Sequence, residues 1–75
     1  MMRDVLIGRF LSLYPHRTVE KIVAHAGIYI LLSFNQDGRN TMDPFYYYDP
    51  ATDSFSDFGV YGRPDAEEIY RKLGD

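Results

Sequence analysis

"RTVEKIVAHAGIYILLSFN", residues 17–35, decides the fold, and its first half carries two conflicting signals. Val19, Ile22, Val23 and Ala26 recur at helical spacing, whereas Thr18, Val19, Ile22 and Val23 are β-branched and favour a strand. The second half is plain. Ile28, Ile30, Leu32 and Phe34 alternate with Tyr29, Leu31 and Ser33, so each set falls on one side of a strand. Gly27 between the halves either stops a helix or turns a hairpin. We read a hairpin of 18–25 against 28–35, with a helix over 18–26 as the alternative.

The flanking segments are easier to read. "RDVLIGRFLSLYP", residues 3–15, sets Leu6, Phe10 and Leu13 beside Ile7, Leu11 and Tyr14 in helical rows, leaving Gly8, Arg9 and Ser12 for solvent. Pro15 biases its predecessor away from helix, so the helix is expected over 3–14. "PFYYY" (44–48) and "SFSDFG" (54–59) read as a third and a fourth strand joined by "DPATD". Asp49 and Pro50 suit the first two positions of a type I turn, and Asp53 falls where a left-handed conformation is needed.

The last segment, "RPDAEEIYRKLGD", predicts a helix over 65–73. Asp65 and Glu68 form a capping-box pair, Glu67 and Glu68 face the positive end of the helix dipole, and Arg71 and Lys72 face the negative end. Ala66, Ile69, Tyr70 and Leu73 make the expected buried stripe, and Gly74 stops the helix. The whole reads as one α+β domain over 1–75: an N-terminal helix, an antiparallel sheet of three to four strands and a C-terminal helix. One sheet face is expected to carry both helices, the other to be partly wet or covered by a partner.

A helix ending in "YP", the β-branched "RTVEKIVAHAG", an aromatic-bearing strand, "QDG" and the hairpin "YYYDPATDSFSDF" follow one another over residues 5–58. This order resembles the small PepSY-like domains, whose pattern runs helix, Tyr-Pro, strand, strand and a D-x-x-T-G hairpin. The chain departs from that pattern at Asp53, where the family prefers glycine, and adds a C-terminal helix. The resemblance implies the topology above and regulatory or inhibitory rather than catalytic work.

Composition narrows the function classes. Among 75 residues there is no cysteine, which excludes disulfides, thiolate zinc sites and a cysteine nucleophile. Aromatic residues make up 16% of the chain, and at about 150–250 Å² buried per ring they stand in for such staples. A net charge of −3, with basic residues spread from Arg3 to Lys72, lacks the footprint of direct nucleic-acid binding. The first apolar stretch, interrupted by Asp4 and Arg9, is too short for a membrane span or export signal, so a cytoplasmic protein is expected.

Asp43, Asp49, Asp53 and Asp57 raise the question of a metal, but their spacing across a proline turn suits turn chemistry better than convergence on one ion. No metal or other cofactor is expected. His16 and His25 read as surface histidines, because no Gly-x-Ser-x-Gly elbow or His-x-x-x-His pair accompanies them. An anion site at Arg63-Pro64 is excluded by Asp65, Glu67 and Glu68 at that helix end.

The tyrosine run sends rings to both faces of its strand. The expectation is therefore a non-enzymatic interaction module using Tyr46, Tyr48, Asp49, Asp53, Phe55 and Asp57 as an aromatic, acid-rimmed surface. The partner would be a protein with a basic surface, or a second copy forming a homodimer. Two alternatives stand beside it: an acidic inhibitor of the mobile-element type that blocks a nucleic-acid enzyme, and a minimal metal-dependent hydrolase built on His25 and nearby aspartates.

Overall fold

In the computed structural model, which describes residues 3–39 and 43–74, the ambiguous stretch is a hairpin. Strands β1 (Lys21–His25) and β2 (Ile28–Leu32) pair antiparallel, from Lys21 opposite Leu32 to His25 opposite Ile28. Ala26 and Gly27 join them with φ of 51° and 83°. Two consecutive left-handed residues are the signature of the turn whose twist matches paired strands. Strand preference thus prevails over helical spacing in this stretch.

β1 starts later than residue 18 because its ladder is interrupted. An isolated bridge joins Arg17 to Asn35, so residues 18–20 face only 33–34 before regular pairing begins at Lys21 and Leu32. This is a bulge, which bends the strand and re-aims its side chains. The backbone stays tied across it, by Thr18 N to Phe34 O at 2.8 Å and Glu20 N to Leu32 O at 2.7 Å.

β3 (Phe45–Asp49) pairs with β2, and β4 (Ser54–Asp57) pairs with β3, giving a four-stranded antiparallel meander in the order β1-β2-β3-β4. The two helices are α1 (Arg3–Leu13) and α2 (Ala66–Gly74). They cover opposite faces of the sheet, which corrects the expectation that one face carries both.

The cause lies in the strands, which are apolar on both sides. On one side Ile30, Phe45, Phe58 and Val60 are buried with Ile69 and Leu73 of α2, flanked by Val23, Ile28, Leu32 and Tyr47. On the other, Leu31 and Tyr48 are buried with Leu6 and Phe10 of α1, flanked by Tyr14, Val19, Ile22, Tyr29, Tyr46 and Phe55. Neither face is left for solvent. A buried Phe or Leu contributes about 1.5–3 kcal/mol, so the sheet needs both covers to use its apolar rows.

α1 seats itself by the stripe Leu6, Phe10 and Tyr14, four residues apart. Leu13, expected in a buried row, is instead 62% exposed at the helix end. At the start of α2 the Asp65 carbonyl accepts the first helical bond, from Ile69 N at 3.1 Å, while its carboxylate turns to Arg63 and His25.

Candidate interaction surface

The sequence-derived surface is largely the seat of α1. Tyr48 is 3% exposed, which corrects its assignment to an outward, partner-facing row. Tyr46 and Phe55 are half-buried: Phe10 meets Tyr46 edge-on at 5.1 Å between centroids and Phe55 at 5.6 Å, and Tyr14 lies 4.8 Å from Tyr46. Burial raises the Tyr46 phenol above its usual range. The rings do share one sheet side, Tyr48 opposite Phe55 and Tyr46 opposite Asp57, but a helix of the same chain covers them. Of the expected surface, Tyr48 is sealed, Tyr46 and Phe55 are half-covered, and Asp53 and Asp57 stay exposed.

The hairpin carboxylates separate by role. Asp49 Oδ1 accepts from Ala51 N at 2.9 Å and shapes the corner. Asp53 takes φ of 52°, the left-handed conformation expected of it. Its Oδ1 accepts from Arg9 Nη1 at 2.5 Å and from the Tyr48 hydroxyl. Both bonds, Arg9 first, hold the Asp53 carboxyl below the usual range, while the Asp53 bond is the main reason the Tyr48 phenol is raised. The Arg9 guanidinium also lies over the Tyr48 and Phe55 rings, at 5.6 and 5.9 Å. Asp57 is exposed. Among the described residues no three His, Asp or Glu side chains gather as a metal site.

Arg17 ties the bulge to the sheet. Its Nη1 donates to Asn35 Oδ1 at 2.9 Å, its Nη2 to the Ser33 and Asp43 carbonyls at 3.2 Å, and its Nε to Ser33 Oγ at 3.3 Å. Its guanidinium sits 4.8 Å from the Tyr46 ring centroid. This fork satisfies the fully buried Ser33 and closes the side of the α1 core.

His25 is 7% exposed, which corrects its reading as a surface histidine. Its Nε2 lies 2.9 Å from Asp65 Oδ2 and its Nδ1 lies 3.1 Å from Lys72 Nζ. Arg63 grips the same carboxylate, through Nε at 2.9 Å and Nη2 at 3.2 Å. Asp65 is therefore held well below the ordinary carboxylate range, by Arg63 first and His25 second. The pair has the form of a catalytic base with its orienting carboxylate. Both ring nitrogens, however, are occupied from within the chain, so as built the pair fastens α2 to β1.

The exposed rings lie elsewhere. Tyr61, in the loop after β4, is 66% exposed, and Tyr70 on α2 is 41% exposed. Their centroids are 6.4 Å apart, and each leans on the buried Phe45 ring, at 6.1 and 5.8 Å. The three rings form one aromatic corner between β3 and α2. Partial burial raises the Tyr70 phenol, with Tyr61 and the Asp43 carboxylate adding to the rise. Glu67, one helical turn before Tyr70, is exposed on the same flank. Tyr70 is exposed where a buried position is expected of it, and Tyr61 lies outside the expected surface. The available signal was that Ile69 and Leu73 already fill the stripe, which turns Tyr70 about 100° away from Ile69.

Comparison of the chain with protein-family models, curated proteins and solved structures returns no match. Among the described residues no helix is long and apolar enough to cross a membrane.

Proposed function

We propose that this chain is a small non-enzymatic interaction module that binds a partner protein through the Tyr61–Tyr70 corner. The observation that carries the reading is that pair of solvent-facing tyrosines, tilted against each other and against a buried phenylalanine. Tyrosine at interface centres supplies large contact area at low entropic cost. Asp43 and Glu67 beside the rings give the surface an acidic rim, so the partner presents lysine or arginine and binding weakens as salt is raised. The proposed compartment is the cytoplasm, which a cysteine-free chain suits.

The test is comparative capture from the native host with three proteins: wild type, a Tyr61→Ser/Tyr70→Ser variant and an Asp49→Asn/Asp57→Asn hairpin variant. The reading expects a partner retained by the wild type and the hairpin variant and lost by the tyrosine variant. A partner lost by the hairpin variant and kept by the tyrosine variant returns the site to the β3–β4 corner and overturns it.

A further inference from the structure

The chain of contacts Asp65–His25–Lys72 carries a consequence independent of any partner. Lys72 Nζ reaches both the His25 Nδ1, at 3.1 Å, and the Ala24 carbonyl, at 3.3 Å. An ammonium has only donors, so Nδ1 must accept, and the single ring proton resides on Nε2, where it is donated to Asp65. Beside a charged Lys72 this geometry fits neutral imidazole in one tautomer, with a cation on one side and a carboxylate on the other.

We infer that His25 is a proton-operated latch for α2. A second proton on the ring goes to Nδ1 and places N–H against ammonium and cation against cation. Lys72 then leaves the ring and takes its bond to the Ala24 carbonyl with it. At the same step the contact with Asp65 becomes an ion pair between two charged groups, stronger than the neutral bond it replaces. Protonation therefore moves the point at which α2 is held, from Lys72 in its last turn to Asp65 just before its first.

The charged groups facing the ring are Asp65 and Lys72, with Arg63 acting through Asp65. Glu68 lies between them along the helix and is exposed. Among the described residues no other charged side chain bonds to the ring. The latch follows from the seating of α2 alone, and it stands or falls separately from the binding proposed for Tyr61 and Tyr70.

The experiment is amide hydrogen exchange of the intact protein from about pH 8 to about pH 5, the interval over which imidazole side chains change charge. Rates are expressed relative to unstructured peptide at each pH. Protection of Arg71, Lys72 and Leu73 is expected to fall by about fivefold on acidification, the equivalent of one hydrogen bond, while α1 is unchanged. A His25→Gln side chain accepts from Lys72, donates to Asp65 and cannot ionise, so its protection is expected to stay level. Constant protection in the wild type, or an equal fall in His25→Gln, overturns the latch. Should His25→Gln not fold, ring-nitrogen NMR of the wild type decides: a ring whose single proton sits on Nδ1 at about pH 8, or one that gains no second proton by about pH 5, also overturns it.

Discussion

Arg9 on α1 and Asp53 at the β3–β4 corner, 44 residues apart in the chain, meet with Nη1 2.5 Å from Oδ1, and the Tyr48 hydroxyl donates to the same oxygen. One carboxylate thus fastens a helix, a strand and the turn in which it sits. Asp65 does the same on the opposite face, through Arg63 and His25.

Acid should loosen both fastenings. Asp53 and Asp65 are held below the ordinary carboxylate range, so the unfolded chain takes up protons that the folded chain refuses. Their contribution is complete above the unfolded carboxylate value, about pH 4, and is lost as pH falls below it through the folded values. The urea midpoint should decline through this range, and Asp53→Asn or Asp65→Asn should each flatten the decline. A decline of unchanged steepness in the double variant would contradict it.

Ala26 holds a left-handed conformation without glycine's freedom. Ala26→Gly or Ala26→Asn should stabilise the protein by about 0.5–1 kcal/mol, since a left-handed L-residue costs about 1–2 kcal/mol. In a domain of this size that is a rise of about 3–6 °C in Tm, readable by circular dichroism. A lower Tm for both variants would refute the strain.

Phe10 and Leu13 lie on one helix with opposite fates. Phe10→Ala should cost about 3–5 kcal/mol, because its ring is fully buried between Tyr14, Tyr46 and Phe55, and leave little folded protein. Leu13→Ala should change stability by no more than about 0.5 kcal/mol. Chemical denaturation of the pair checks how α1 is rotated on the sheet.

Arg17→Lys should not substitute for arginine. A lysine is a point charge and cannot serve Ser33, Asn35 and the Asp43 carbonyl while lying flat over Tyr46. We expect a loss of about 1–2 kcal/mol in unfolding free energy. Tyr46 fluorescence or its ring NMR signals should shift with it, because the guanidinium that shields one side of the ring is removed.

Element types were legible in the sequence because each rests on local chemistry: the β-branched run at 18–23, Asp49-Pro50 at the corner, and the acidic start and basic end of α2. Which helix covers which face was not. Tyr29 and Leu31 present apolar surface on one side as Ile28, Ile30 and Leu32 do on the other, so the strands accept a helix on either side. His25 was misjudged because its partners stand 40 and 47 residues away. Tyr48 was misjudged for the same reason, its cover being Leu6 and Phe10 at the other end of the chain. The turn at Asp53 was foreseen from residue chemistry alone, and the ion pair that uses it was not.

The meander order has a bearing on how the molecule assembles. Every strand pairs with its neighbour in the chain, so the sheet can zip up through short closures, each with a small entropic barrier. The helices arrive on separate sides and do not have to wait for one another. Such a chain should fold quickly and by more than one route, with a single exponential phase and no obligatory order between its two halves.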